Sequence, residues 1–206
     1  PADDELTALK KEDRRRVRAN EALTSKRTEA LRHAIVTFVT AASIRRLQQK
    51  ADGLQPRRYS MIVHVETARA SHAWQHTVTQ EIIAGMSDAA ASDPLFFGEL
   101  VDRAVADLER SIAAGGYKLP NRAEIIAAVR EAFVKGGVVT EQVNSDNDVQ
   151  ALLDESAELR LRTPYSVFIG GQILDRGITV PNLLAFFYGR SPKKMQQDTV
   201  LQHARM

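Results

Sequence analysis

The sequence predicts an α/β domain in which helices cover both faces of a parallel β-sheet, giving three layers. Runs rich in β-branched and aromatic residues alternate with stretches in which apolar residues recur at helical spacing. Most of these runs are apolar throughout, which is typical of parallel strands buried on both faces. Hydrophobic residues make up 44% of the 206 residues and charged residues 26%, so the chain can fold around a sizeable core. The predicted strands are 59–65, 138–144, 165–171 and 183–189.

Composition restricts the chemistry available to the chain. Cysteine is absent, which excludes disulfides, thiolate zinc sites and thiol nucleophiles and fits a reducing cytoplasm. The apolar runs are too short to span a bilayer and no leading segment resembles a signal peptide, so we expect a cytoplasmic protein with no membrane partner. The formal net charge is only +2, so bulk charge does not by itself indicate nucleic-acid binding.

The chain begins with a charged segment and continues into a long helix. Residues 1–20 have no sustained apolar face, which predicts an arm or linker from the middle of a longer polypeptide. Its basic cluster at 10–18 is interleaved with acidic residues, which favours a solvated arm over an arm that contacts phosphates. Apolar residues at helical spacing predict one long amphipathic helix over 21–49, ended by turn residues at 52–56.

Three helices are predicted between the first two strands. A loop of small residues at 88–94 is expected after the first of them. Asn121 and Glu124 have the spacing of a capping box at the start of the third. Residues 87–136 are predicted to form a helical insertion, a hairpin or small bundle on the domain. The apolar stripes of the three helices lie at 74–86, 97–112 and 125–133.

The last third of the chain is predicted to contain three strands and a helix at 149–159. In open parallel sheets, ligands bind beyond the carboxyl ends of the strands, because loops and helix amino-termini gather there. We therefore expect the functional residues in the loops after Val65, Val143, Ile169 and Tyr188.

The most informative stretch is 168–205, FIGGQILDRGITVPNLLAFFYGRSPKKMQQDTVLQHAR. It resembles the Z-one domain family, superfamily 2 helicase-like proteins found beside bacterial restriction and modification genes and sometimes named endonucleases. The family pattern is a strand, Gly-Gly-x-x-Leu, an acidic or small residue, Arg-Gly-(Ile/Leu)-Thr, an apolar strand, then Asp-Thr and Gln-x-Gly-Arg. The resemblance extends more weakly to residue 21. The matching residues are Gly170, Gly171, Leu174, Arg176, Gly177, Thr179, Asp198, Thr199, Gln202 and Arg205.

The resemblance implies a RecA-like, P-loop NTPase-like lobe over 21–206, the C-terminal motor lobe of a bacterial helicase-type ATPase that acts on DNA in restriction-modification or phage defence. Residues 176–179 resemble helicase motif V, and 202–205 resemble the start of motif VI. A glycine after a strand lets backbone amides approach phosphate, and an arginine supplies a permanent forked charge. The implied residues are Gly170, Gly171, Arg176, Gly177 and Thr179 for nucleotide, Gln202 and Arg205 for catalysis, and Thr67, Asn144 and Ser145 for nucleic acid.

Simpler interpretations of the same residues stay open. Glycines also serve tight turns, although the order of the surrounding motifs favours a nucleotide site here. Two roles fit Thr67 equally well: it caps a helix, or it contacts a nucleic-acid phosphate. Asn144 and Ser145 are equally suited to a turn or a cap.

Two departures from the family pattern limit what this chain is expected to do alone. Ala204 stands where the family has glycine, and the chain ends at Met206 before the family's Phe-Gly-x-Arg, so a second motif VI arginine is missing. The sequence has no G-x-x-x-x-G-K-[ST], the loop that cradles the β and γ phosphates. We expect ATP and Mg²⁺ to bind only together with an upstream lobe. DNA and a methylase or nuclease are the other expected partners.

Other chemistries fit the sequence less well. His72 and His76 have metal-ligand spacing on a helix but lack a third ligand, so no metal site is predicted. His64 is interpreted as a core histidine, and Trp74 and the aromatic run 186–188 as core residues rather than base-stacking ones. No G-x-S-x-G elbow or nuclease-type acidic pair is present. A non-catalytic protein- or DNA-interaction module of a defence complex is the second hypothesis, and an endonuclease component the third.

Overall fold

The four predicted strands form one sheet. The computed structural model describes residues 21–64, 69–143, 150–153, 158–170 and 179–188, with the backbone alone described over 69–74. All neighbouring strands are parallel and the order across the sheet is β2-β3-β1-β4, which confirms the predicted parallel α/β architecture. The strands are β1 (Tyr59–His64), β2 (Val138–Gln142), β3 (Tyr165–Gly170) and β4 (Leu183–Tyr188).

Four long helices occupy the described part of the chain before β3. The predicted long first helix is confirmed, but it begins at residue 29 because residues 21–28 form turns and a short 3₁₀ helix. The Arg32 guanidinium holds these turns by donating to the carbonyl oxygens of Ala22 and Ser25 at 3.2 and 3.1 Å. The helices are α1 (Glu29–Ala51), α2 (Arg69–Ser92), α3 (Pro94–Ala114) and α4 (Arg122–Val134). No helix in the described segments is long and apolar enough to span a bilayer.

The predicted loop at 88–94 is wrong. Helix α2 continues through the run of small residues to Ser92, because alanine has the highest helix propensity and Ala89 and Ala90 are buried in the core. The break comes only at Asp93. Its side chain accepts a hydrogen bond from the amide of Phe96 at 3.1 Å, and Pro94 occupies the start of α3.

The capping box predicted for the third helix is confirmed in α4. The Asn121 side chain accepts from the Ala123 amide at 2.8 Å, and the Asn121 amide donates to the Glu124 carboxylate at 3.3 Å. These two bonds satisfy donors that the first turn of a helix leaves without backbone partners. Local sequence therefore fixes where α4 begins.

Among the described residues, the predicted helix at 149–159 is confirmed at 150–152 and wrong at 153 and 158–159. Helical structure is present only at 150–152, and Leu153 then forms an antiparallel bridge with Leu159. Leu159 and Leu161 are both buried against the sheet, because alternate side chains of an extended chain point to the same side. Tertiary burial overrides the helical spacing of this segment.

One face of the sheet carries the main core. Met61 and Val63 of β1 and Val167 and Ile169 of β3 share this cluster with side chains from all four helices. Helices α3 and α4, predicted as an insertion, contribute fully buried residues to it, among them Phe97. The two helices are therefore packed into the domain's own core.

The opposite face carries a smaller second core. Phe168 of β3 is fully buried there among Val143, Leu152, Leu159 and Leu161. The sheet is thus the middle layer of three, but among the described residues the predicted helical cover is confirmed mainly for the first face. In the described residues the helices α1–α4 lie on the first face, whereas the cover of the second face is mainly extended chain.

Candidate nucleotide and nucleic-acid edge of the sheet

The four strands end at one edge of the sheet. Because all of them are parallel, His64, Gln142, Gly170 and Tyr188 lie at its carboxyl side. The strand register pairs His64 of β1 with Gly170 of β3 on one side and with Tyr188 of β4 on the other. The loops expected to carry function therefore leave the sheet from neighbouring strand ends.

Two of the predicted site residues fall within the described residues. Gly170 is the buried last residue of β3, beside His64. Thr179 is exposed and precedes β4. The remaining predicted residues lie outside the described residues, although several follow a strand end closely in sequence. They are Thr67, Asn144, Ser145, Gly171, Arg176, Gly177, Gln202 and Arg205.

Thr179 is held by its backbone to the segment that covers the second core. Its carbonyl accepts a hydrogen bond from the Leu159 amide at 3.1 Å, and it forms a parallel bridge with Glu158. Leu159 in turn packs against Phe168. The end of the Arg-Gly-Ile-Thr motif is therefore attached to β3 through one buried leucine.

An aromatic stack lies on the second face at the carboxyl edge. The buried ring of His64 is stacked on Tyr188 and Phe186, with centroid separations of 5.3 and 6.2 Å. Phe187 packs on the main core on the other face, as its alternation in the strand requires. The interpretation of His64 as a buried histidine is confirmed, Phe186 and Tyr188 are partly buried, and the Trp74 side chain lies outside the described residues.

A family model for the Z1 domain matches residues 30–206, from the first turn of α1 to the last residue. The chain belongs to the Z1 domain family. The match includes all four strands and the 168–205 stretch that carries the glycine and arginine motifs. No curated protein and no solved structure matches this Z1 domain.

Sequence reasoning missed a carboxylate near the same edge. Glu141 of the Z1 domain lies opposite Phe168 in the register, so it shares the second face. Its Oε2 atom is buried with no hydrogen-bond partner among the described residues. Burial raises the pKa of Glu141 above its ordinary value, and the positive charge of Arg162 opposes this rise. The alternation of Val139, Glu141 and Val143 in β2 was the signal, because it places a carboxylate between two valines on one face.

One position in the row of residues at the carboxyl edge has no side chain. Gly170 contributes no side chain to the row formed with His64 and Tyr188 on adjacent strands. A glycine at a strand end permits close approach of a phosphate or ribose to the backbone. The carboxylate of Glu141 lies on the same face in the neighbouring strand β2, opposite Phe168.

The described residues offer no metal site. His76 of α2 lies with Nε2 at 3.1 Å from Oγ1 of Thr140 in β2, so this ring links a helix to the sheet. The side chain of His72, its predicted companion, lies outside the described residues. Across the described part of the chain, no group of three or more His, Asp or Glu side chains could hold a metal ion.

Proposed function

We propose that this Z1 domain is the C-terminal, RecA-like lobe of a helicase-type ATPase motor that acts on DNA in a bacterial restriction-modification or phage-defence system. The observation that carries the proposal is the common edge at which all four parallel strands end. Thr67, Asn144 and Gly171 each follow a different one of those ends by three residues or fewer. A site assembled from several loops at one sheet edge suits a nucleotide held between two lobes.

Nucleotide would be bound at the loop after β3. The backbone of Gly170 and Gly171 would approach phosphate or ribose, and Arg176 would supply a bidentate positive charge to phosphoryl oxygens. Gln202 and Arg205 would face the γ phosphate, where an arginine stabilises charge that develops during transfer. Because the sequence has no phosphate-cradling lysine loop, an upstream lobe would supply most of the ATP and Mg²⁺ site.

Nucleic acid would be bound by the loops after β1 and β2. Thr67, Asn144 and Ser145 carry hydroxyl and amide groups, which contact the sugar-phosphate backbone without reading sequence. Closure of the two lobes over ATP would change the contacts of these loops with the nucleic-acid backbone, and ATP hydrolysis would reverse that change. Repeated closure and release would move the protein along DNA.

The test is the DNA-stimulated ATPase activity of the polypeptide that joins this domain to its upstream lobe. Arg205→Ala should lower kcat by about a thousandfold or more while leaving DNA binding without nucleotide intact. Arg110→Ala, on an exposed position of α3, is the matched control and should leave the ATPase activity unchanged. ATPase activity at the native level in Arg205→Ala removes Arg205 from the mechanism.

A non-catalytic interaction module is the second candidate, and an upstream sequence without a phosphate loop would favour it over the motor. Such a module would hold DNA or a methylase or nuclease partner with the same fold and without ATP. Binding of a labelled ATP analogue to the joined polypeptide separates the two candidates, because the motor requires binding and the module does not.

A further inference from the structure

The edge of the sheet opposite the candidate site is strongly basic. It is formed by the segments that precede the strands, 55–58 before β1, 160–164 before β3 and 181–182 before β4, together with the end of α1. Six arginines and two lysines line this edge, against two carboxylates, whereas the whole chain carries a net charge of only +2. The arginines are Arg45, Arg46, Arg57, Arg58, Arg160 and Arg162.

These side chains line three neighbouring concavities, which together we call the amino-edge groove. The first and second concavities share the lining residue Arg57, and the second and third share Arg162. Exposed Tyr117 lies at one end and Asn182 lies in the middle section. A row of cationic side chains that follows a groove matches the repeating charge of a phosphodiester backbone better than it matches a single anion.

Some of the arginines hold the walls of the groove. Arg46 donates to the carbonyl oxygens of Pro56 and Arg57 at 3.4 and 2.5 Å, and Arg58 donates to the carbonyl oxygen of Leu161. The Arg45 guanidinium lies 4.3 Å from the centroid of the Tyr117 ring. These contacts fix the segments before β1 and β3 relative to α1.

The side chains of the other three arginines do not hold the walls of the groove. The side chains of Arg57, Arg160 and Arg162 are exposed, and among the described residues none of the three forms an ion pair with a carboxylate. Of the two carboxylates of the groove, Glu131 is bound to Lys135 at 2.8 Å. Eight positive side chains of the groove face two carboxylates, so their charges repel one another and a bound polyanion would relieve this repulsion.

We infer that the amino-edge groove binds the phosphodiester backbone of a nucleic acid, at the edge of the sheet remote from the candidate nucleotide site. Arginine suits this role because its planar fork can donate two hydrogen bonds to one phosphate. The inference does not rest on the proposed function, since it concerns the opposite edge and requires no ATP. The amino-edge groove would bind nucleic acid whether or not a nucleotide is bound at the carboxyl edge.

The test measures binding of the full 206-residue chain, without nucleotide, to a labelled DNA duplex of about 20 base pairs as salt is raised. The groove variant combines Arg57→Gln, Arg160→Gln and Arg162→Gln. Three lost phosphate contacts should weaken binding by about tenfold or more at low salt and reduce the slope of log K against log salt by about 3. A slope equal to that of the native chain, or no measurable binding by the native chain, overturns the inference.

Two further variants keep the result interpretable. The control combines Lys26→Gln, Arg110→Gln and Arg130→Gln, which removes the same charge from exposed positions outside the groove and should leave the slope unchanged. An equal loss in the control overturns the inference, because it would mean that overall charge carries binding. Replacing the three groove arginines with lysine keeps the charge and should retain most of the native slope.

The choice of probe identifies the ligand. In a second series, a single strand of the same sequence replaces the duplex. The ligand of the groove is the form, duplex or single strand, for which the groove variant loses more affinity. Polyglutamate of matched charge is the third probe. Binding of polyglutamate as tight as that of DNA overturns the inference, because an acidic polypeptide surface would then satisfy the groove.

Discussion

The rings of His64 and Tyr188 are stacked with centroids 5.3 Å apart at the point where β1 and β4 end side by side. Phe186 extends the stack, with its centroid 6.3 Å from that of Tyr188. In sequence, residues 65 and 189 immediately follow the two stacked strand ends. The stack therefore fixes the spacing from which two of the candidate loops begin.

The stack should appear as coupling between its rings. In a double-mutant cycle of Phe186→Leu and Tyr188→Leu, measured by urea unfolding, we expect a coupling free energy of about 0.5–1.5 kcal/mol. Phe187 faces the opposite side of the sheet, so a cycle of Phe187→Leu with Tyr188→Leu is the control and should show a smaller value. Equal coupling in both cycles would contradict the stacked arrangement.

Leu159 should be essential to the cover of the second face. It is 1% exposed, packs near Phe168, and its amide holds the carbonyl of Thr179. Leu159→Ala should lower the free energy of unfolding by about 2–5 kcal/mol through lost burial and a cavity. Leu95→Ala, at a position 82% exposed, should cost less than about 0.5 kcal/mol. Chemical denaturation of the two variants checks the prediction, and similar costs would show that this face is not packed.

Glu141 should make the stability depend on pH. Burial raises its pKa above the ordinary value of 4.5, so the folded chain holds this proton more tightly than the unfolded chain. The stability that this proton contributes is fully present below the unfolded pKa and is lost as pH rises through the folded pKa. Glu141→Gln should therefore melt about 1–2 °C above the native chain at pH 8, with the difference disappearing by about pH 4.

The control for Glu141 is Glu99→Gln, at an exposed position of α3. It should leave the difference in melting temperature between the two pH values unchanged. A Glu141→Gln variant that is less stable than the native chain at pH 8 would mean that the carboxylate has a stabilising partner. Calorimetry of the three chains over the pH range distinguishes these results.

The capping box of α4 should contribute measurably to stability. Asn121→Ala removes the side-chain acceptor for the Ala123 amide and should cost about 1 kcal/mol in urea unfolding. Asn121→Asp keeps an acceptor and a favourable charge at the helix amino-terminus, so it should cost much less. Equal losses in the two variants would place the effect elsewhere.

Local signals predicted much of the fold. The apolar runs predicted the four strands, because parallel strands buried on both faces are apolar along most of their length. The spacing of Asn121 and Glu124 predicted the start of α4, because it is the spacing of a capping box. Two predictions failed where tertiary packing decided the outcome. Ala89 and Ala90 are predicted to lie in a loop, but their burial keeps them helical. Leu153 and Leu159 are predicted to lie in a helix, but they cover Phe168 as extended chain.

The candidate site was less predictable than the sheet. The alternation of strands and helices predicted a parallel sheet, and in such a sheet all strands end at the same edge. Gly170 was therefore correctly predicted to lie at the carboxyl edge. Glu141 was missed because a single glutamate in a short strand is usually solvated, and only the register with β3 places it beside Phe168. The amino-edge groove was also missed, since Arg57 and Arg160 are distant in sequence and form no cluster until the strands pair.

The proposed motor function requires that ATP binds at the carboxyl edge of this sheet. Hydrogen–deuterium exchange of the polypeptide joined to its upstream lobe, with and without a non-hydrolysable ATP analogue, is the decisive measurement. We expect slower exchange on nucleotide binding in peptides covering 171–178 and 202–206, with no change in peptides covering the amino-edge segments 55–58 and 160–164. Unchanged exchange at 171–178 and 202–206 in a polypeptide that binds the analogue would contradict it.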